Sequence, residues 1–222
     1  PDDYTNLFVA ETAKPSGCSA PHARAVLGVM RSAVAPYGVS PAAAQYMANE
    51  DPFGSPPSNL EQWLNDRKVR ARNISAVCDV PTDGNMNAHD RWVDYVATHA
   101  PFPMFSLAAG NEADDGDPTD DYVRHKCYNC LAVGANDEVG TTWRTDDVMA
   151  TFSSWKNPIS THGDRELPAL VAPGVGVNGA GICGSGTSLS APMVAATAAV
   201  VVHRNPVLAS YPEVVWALSR VH

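Results

Sequence analysis

The stretch GSGTSLSAPMVAA, residues 184–196, sets a glycine-rich turn directly against a long apolar run. The spacing predicts a helix over 187–203. A serine at such a helix start presents its hydroxyl at the positive end of the dipole, where developing negative charge is favoured. Pro192 is expected in the first turn, where a missing N–H costs little. Taken alone, Thr187 or Ser188 simply caps the helix, the commoner role of a hydroxyl there.

Outward from this segment, helix and strand signals alternate. Val26, Val29, Met30 and Ala33 recur at helical spacing over 22–33, closed by Pro36 and Gly38. The run 42–48 reads as a short buried strand, and Ser58 as the N-cap of a helix carrying Leu60, Trp63 and Leu64. A strand is expected over 73–77. A helix over 87–100 follows, with Trp92, Val93, Tyr95 and Val96 on its apolar face and Pro101 and Pro103 to stop it. The strand 104–108 runs directly into Gly110-Asn111. Further strands are expected over 130–134, 148–152 and 169–172, and a last helix over 211–221. This alternation specifies an α/β domain with a mostly parallel sheet, with residues 1–222 read as one unit.

Composition narrows the function. The chain has 222 residues, 45% of them hydrophobic, enough to bury a substantial core. A net charge of −9 provides no concentrated basic surface, which argues against nucleic acid and gives no attraction to an anionic membrane. No window reaches the roughly 18 consecutive apolar residues of a membrane span. The N-terminus carries no signal-peptide pattern, so a targeting segment is absent or already removed. Five cysteines are an odd number, leaving at least one without a partner in this chain if disulfides form. Cys127-Tyr-Asn-Cys130 is a lone CxxC, open to a local disulfide, buried thiols or zinc.

GTSLSAPMVA, beginning at Gly186, resembles the nucleophile motif of the subtilisin-like serine proteases, the subtilases. Two further segments resemble that family in the expected order. HARAVLG, residues 22–28, is similar to the histidine motif usually written HGTHVAG, with Arg24 and Ala25 departing from it. LAAGNE, residues 107–112, is similar to the oxyanion segment. The resemblance implies that Ser188 is the nucleophile, His22 the general base and Asn111 the oxyanion donor alongside the Ser188 N–H. From the residues alone, an Asn directly after Gly at the carboxyl end of a buried strand lies where open α/β sheets present ligands. It is also an ordinary turn residue.

Weaker echoes extend the resemblance along the chain: NISAV at 73–77 for the strand lining the substrate cleft, LAVGA at 131–135, FSSW at 152–155, VAPG at 171–174, and the close beginning at His203. It implies a three-layer subtilisin-like fold and a polypeptide substrate bound by Ser75, Ala76, Ala108 and Gly110. Pocket walls would come from the loops around Ala76, Ala108 and residues 121–127. The chemistry needs no cofactor, and any calcium would be structural. The family is mostly exported, which implies a secreted or extracytoplasmic protein.

The triad aspartate is the departure. Pro1-Asp2-Asp3 resembles the tail of the family's His-Pro-Asp stretch, so the acid is expected upstream of residue 1, supplied by an N-terminal segment or chain. The domain is then an N-terminally truncated fragment lacking its first strand. Asp2, Asp3 and Glu11 are the substitutes within the chain. Loss of the acid costs about 10⁴ in turnover where it has been measured in a serine-protease triad. A subtilase-fold pseudo-protease, kept for binding or assembly, is the alternative.

Other motifs carry less. GVGVNG at 174–179 matches the dinucleotide fingerprint, but Pro173 breaks the preceding strand and no helix follows. GTSLS is not the G-x-S-x-G elbow. Sedolisin-like peptidases share GTS-x-S-A-P, but with Glu and Asp where His22 and Asn111 stand. The carboxylates over 112–121 suit calcium or, more simply, a solvated acidic loop. The Asn73 sequon falls in an expected buried strand. Cys18 and Cys183 flank His22 and Ser188 and are placed to approach each other. His89, His99, His125, His162 and His222 show no metal-ligand spacing and read as surface or satisfied core residues.

Overall fold

The computed structural model describes residues 7, 9–12, 20–34, 37–47, 60–76, 83–160, 163–164, 166–211, 213 and 217. Within them the elements run β1 (Val9–Thr12), α1 (Ala20–Met30), β2 (Gln45–Met47), α2 (Leu60–Asp66), β3 (Ala71–Ile74), α3 (Ala88–Ala97), β4 (Met104–Ala108), β5 (Cys130–Asp137), β6 (Val148–Met149), β7 (Leu170–Pro173), β8 (Val177–Gly179), β9 (Ile182–Gly184) and α4 (Thr187–Arg204). A short 3-10 helix, Pro206–Ser210, follows α4. The helix expected over 211–221 falls mostly outside the described residues, as do Asp2, Asp3, Cys18 and Ser58.

Strands β3, β4, β5 and β7 lie side by side and parallel, and β6 adds a short antiparallel pairing to the end of β5. Phe105 pairs with Arg72 on one side and Cys130 on the other, which fixes the register across the middle of the sheet. Successive residues of β4 serve opposite layers, because side chains alternate across a strand. Phe105 and Leu107 pack with Leu60 and Leu64 of α2 and Trp92, Val93 and Val96 of α3. Met104 and Ala108 join Ala191, Val194 and Ala198 of α4 on the other face. Between them Ser106 donates its hydroxyl to Ala191 O at 2.7 Å, satisfying a polar group that is 0% exposed. Helices on both faces of a mostly parallel sheet make the fold a three-layer α/β arrangement.

The helix α3 begins with a capping box: Asn87 accepts from the Asp90 N–H, and Asp90 accepts from the Asn87 N–H. The helix α1 lies against α4 through Ala25, Val26, Val29, Leu189 and Met193. It also meets the β8–β9 hairpin backbone to backbone. A Cβ on Gly179 would lie 2.0 Å from Ala25 O, and one on Gly28 would lie 2.5 Å from Ala180 N.

Strands β1 and β2 pair in parallel but separately from the central sheet. Among the described residues nothing pairs with the free side of β3. Several expected bounds shift. Among the described residues the 73–77 strand is Ala71–Ile74: its pairing with β4 ends at Leu107, and Ser75 beyond it bonds Ser188 through its hydroxyl. Among the described residues the 42–48 strand is Gln45–Met47, and 148–152 keeps only Val148–Met149, since Ala150 turns away after its bond to Ala135 O.

Candidate active site

Beyond β4, the Ala109 N–H still reaches Val133 O on β5 at 3.0 Å, and the chain then turns sharply. Gly110 adopts φ +132°, and a Cβ there would lie 2.4 Å from Ser154 Oγ, so the position takes only glycine. The turn delivers Asn111 to the start of α4. Its Oδ1 accepts two hydrogen bonds from Thr187, the backbone N–H at 2.7 Å and Oγ1–H at 2.8 Å. A backbone N–H can only donate, so this face of the carboxamide is oxygen. Nδ2 is therefore the opposite pole, and no described residue accepts from it. The outcome is a carboxamide clamped by its oxygen with both N–H donors available.

Ser188 follows in the first turn of α4, where N–H groups have no intrahelical acceptor. Its hydroxyl donates to Ser75 O at a long 3.4 Å, and Ser75 Oγ donates back to Ser188 O at 2.7 Å. That return bond has a cause in the sequence. The helix begins at Thr187, so Pro192 lies beyond the first turn, contrary to the expected placement. Its missing N–H deprives the Ser188 carbonyl, four residues earlier, of its helical donor. Ser75 Oγ supplies the replacement and is itself held by Asn73 Nδ2 at 2.8 Å. The sequon asparagine is thus a half-buried structural link.

His22 stands in the first turn of α1, one turn before Ala25 and Val26, which pack against Leu189, the neighbour of Ser188. Part of the ring is open to solvent while the groups packed beneath exclude water, and this desolvation lowers its pKa below the ordinary 6.5. Among the described residues His22 has no hydrogen bond, to Ser188 or to a carboxylate. Glu11 lies on β1, and its side chain is outside the described set.

Of the four residues expected to bind substrate, Ser75 and Ala76 are half-buried, with Ser75 bonded to Ser188, while Ala108 and Gly110 are buried. The Ala108 methyl belongs to the core under α4. The loop over 120–126 is knitted to the site: the Arg124 N–H donates to Ala109 O at 3.1 Å, Arg124 pairs with Asp120, and Ser154 Oγ donates to Asp120 O at 2.8 Å. His125 Nε2 donates to Ala76 O at 3.0 Å. In the acidic loop, Asp117 accepts the Thr119 N–H and hydroxyl, which hold its pKa below the usual carboxylate value. Cys127 and Cys130 form a disulfide, closing the choice the lone CxxC left open, and Cys183 is an exposed thiol.

A sequence model of the subtilase family matches residues 58–217. The chain belongs to the subtilase family. The subtilase match includes Asn111 and Ser188 and leaves His22 outside it. The subtilase-type proteinase psp3 of Schizosaccharomyces pombe is 32% identical over 109 residues, covering 49% of this chain and 22% of that protein, so the chain spans about a fifth of that relative's length. Among solved structures, a cold adapted subtilisin-like serine proteinase superposes with a TM-score of 0.59 at 23% identity, covering 89% of this chain and 66% of that one. The patellamide maturation protease PatA reaches 0.67 at 19% identity, covering 99% and 81%. At these identities the superpositions establish the subtilisin-like fold.

Thr187, Asn73 and Pro192 take parts here that differ from their sequence readings as helix cap, sequon and first-turn proline: Thr187 holds the Asn111 oxygen, Asn73 holds Ser75, and Pro192 leaves the Ser188 carbonyl to Ser75. Thr187 acts on Asn111 and Ser75 on Ser188, pairs far apart in sequence, so these parts could not be read from the motifs that contain the residues.

Proposed function

We propose that this chain is the catalytic body of a serine endopeptidase. Ser188 Oγ attacks the scissile carbonyl while His22 takes its proton. As the tetrahedral intermediate collapses, His22 returns that proton to the leaving amine, and water then releases the acyl group by the same exchange. Asn111 Nδ2 and the Ser188 N–H hold the oxyanion, and the Ser75–Ala76 segment receives the polypeptide. The observation that supports this reading is the Asn111 carboxamide, held through its oxygen by Thr187, the residue before Ser188, with no described acceptor on its N–H donors. Donors fixed before the charge develops need no reorganisation when it does.

The acid partner of His22 comes, in this reading, from a segment preceding residue 1 or from another chain, in keeping with the unpaired side of β3 among the described residues. Subtilase kinship and a disulfide favour an extracytoplasmic protein, since such bonds persist in oxidising compartments. No described helix is long and apolar enough to cross a membrane.

A pseudo-protease is the second reading, favoured by one observation: the Ser188 hydroxyl rests on Ser75 O and not on His22. A fluorophosphonate probe on the full-length protein separates the two. The endopeptidase reading expects an adduct on Ser188 that disappears in Ser188→Ala. A full-length protein that hydrolyses no peptide and takes no label at Ser188 is a binding module.

A further inference from the structure

Joined to Ala76 through His125 lies a group of side chains that the proposed reaction does not use. His89 and Asp90 are consecutive residues in the first turn of α3, and His125 stands on the segment leading to the Cys127–Cys130 disulfide. All three are buried, at 5%, 1% and 3% exposure. Their ligand atoms lie within 4.8 Å of one another, forming the one such group among the described residues.

Asp90 makes this cluster unusual. Its Oδ1 accepts the Lys126 backbone N–H at 2.9 Å and its Oδ2 the Asn87 N–H at 3.1 Å. No described cationic side chain pairs with it. The nearby Lys126 ammonium goes to Asp83 instead, 3.1 Å from its carbonyl and 3.5 Å from its carboxylate. Buried charges are paired or coordinate metals, and two neutral donors leave this negative charge without a counter-ion. The carboxylate still has lone pairs to offer.

His125 is oriented for the same task. Its Nε2 donates to Ala76 O at 3.0 Å, so the proton is on Nε2 and the lone pair on Nδ1. A ring whose second nitrogen is fixed by a backbone carbonyl is the usual condition of a metal-ligating histidine. The positive end of α3 opposes a cation. Asp90 places a full negative charge at that same turn.

We infer that His89, Asp90 and His125 form a binding site for a divalent first-row metal ion, Zn²⁺ foremost. Two imidazoles, one carboxylate and a fourth position left to water suit Zn²⁺, whereas the hard ions Ca²⁺ and Mg²⁺ prefer all-oxygen sets. The ion ties α3 to the 121–127 segment. Through the Nε2–H of His125 it also braces the Ala76 carbonyl, next to the Ser75 that bonds the nucleophile's residue. Its role is that of a strut behind the substrate segment, independent of the chemistry at Ser188.

The test uses the purified full-length protein in a Ser188→Ala background, so that no self-digestion intervenes, stripped with chelator and titrated with Zn²⁺ alone by calorimetry. One equivalent is expected to bind per chain, and His89→Gln, Asp90→Asn and His125→Gln should each weaken binding by at least about 10-fold. Co²⁺ in the same protein should show the intense visible bands of a low-coordinate nitrogen and oxygen site, a readout that needs no variant to fold. Absence of Zn²⁺ binding, an affinity untouched by folded variants, or the weak bands of six-coordinate Co²⁺ would each overturn the proposal.

Discussion

At Asn111 the proposed chemistry rests on a single orientation. Two bonds from Thr187 engage Oδ1, and the donors that remain are those the proposed oxyanion hole would use. Asn111→Leu in the active full-length protein should lower kcat by about 10²–10³, the range known for loss of one oxyanion donor, with KM nearly unchanged. An unchanged kcat removes Asn111 from the mechanism. His22 carries the second prediction at this scale. Desolvation lowers its folded pKa below 6.5, so between that pKa and 6.5 the unfolded chain binds more protons and stability rises with pH. Below the folded pKa that cost to stability is complete, and above 6.5 it has vanished. Titration of this chain's His22 ring by NMR should give a midpoint under 6.5. A midpoint above it reports a carboxylate partner.

The start of α4 depends on a repair made from another element. Pro192 leaves the Ser188 carbonyl without its helical donor, and Ser75, just past β3, fills the vacancy with a hydroxyl held by Asn73. Ser75→Ala should therefore destabilise the fold by about 1–3 kcal/mol, the cost of leaving a shielded polar group unsatisfied. Urea unfolding measures it, and a midpoint equal to wild type would show that water replaces the hydroxyl. Such a link connects the proposed substrate segment to Ser188 through its backbone carbonyl, so Ser75 serves stability and geometry together.

Across the whole molecule, β4 divides the core between two helical layers, with Phe105 at the centre of one of them and 0% exposed. Phe105→Ala should cost about 3–5 kcal/mol through lost burial and the cavity left behind. Trp143 is equally apolar but 73% exposed, and Trp143→Ala should stay within about 0.5 kcal/mol. Thermal unfolding of the two variants compares them directly. Equal shifts would mean that the core is not organised around β4.

Local signals carried much of this. The strand 104–108 and the long helix after Gly186 are legible because a continuous apolar run bounded by Pro or Gly has few alternatives. The nucleophile motif is legible for the same reason: its Gly, Ser and Pro lie within one turn and its neighbours. Asn111 was readable as a position, after a glycine at a strand end. Whether its oxygen or its nitrogen would face the site depended on Thr187, 76 residues away. The helix start at Thr187 was legible, and counting from it puts Pro192 beyond the first turn; what the sequence could not show was that Ser75 would serve the carbonyl this leaves without a donor. His89 and His125 show no spacing that marks a metal site, and the parallel sheet brings them together by carrying α3 and the segment before β5 to the same end of β4. Periodicity and turn chemistry act over a few residues, so the sequence alone determined most of the elements, their order and the candidate nucleophile, while the β8–β9 hairpin in its glycine-rich stretch went unread. Hydrogen-bond partners and the company of buried charges are long-range choices, made only when the layers close and each polar group left from water must find an acceptor, a donor or a counter-ion.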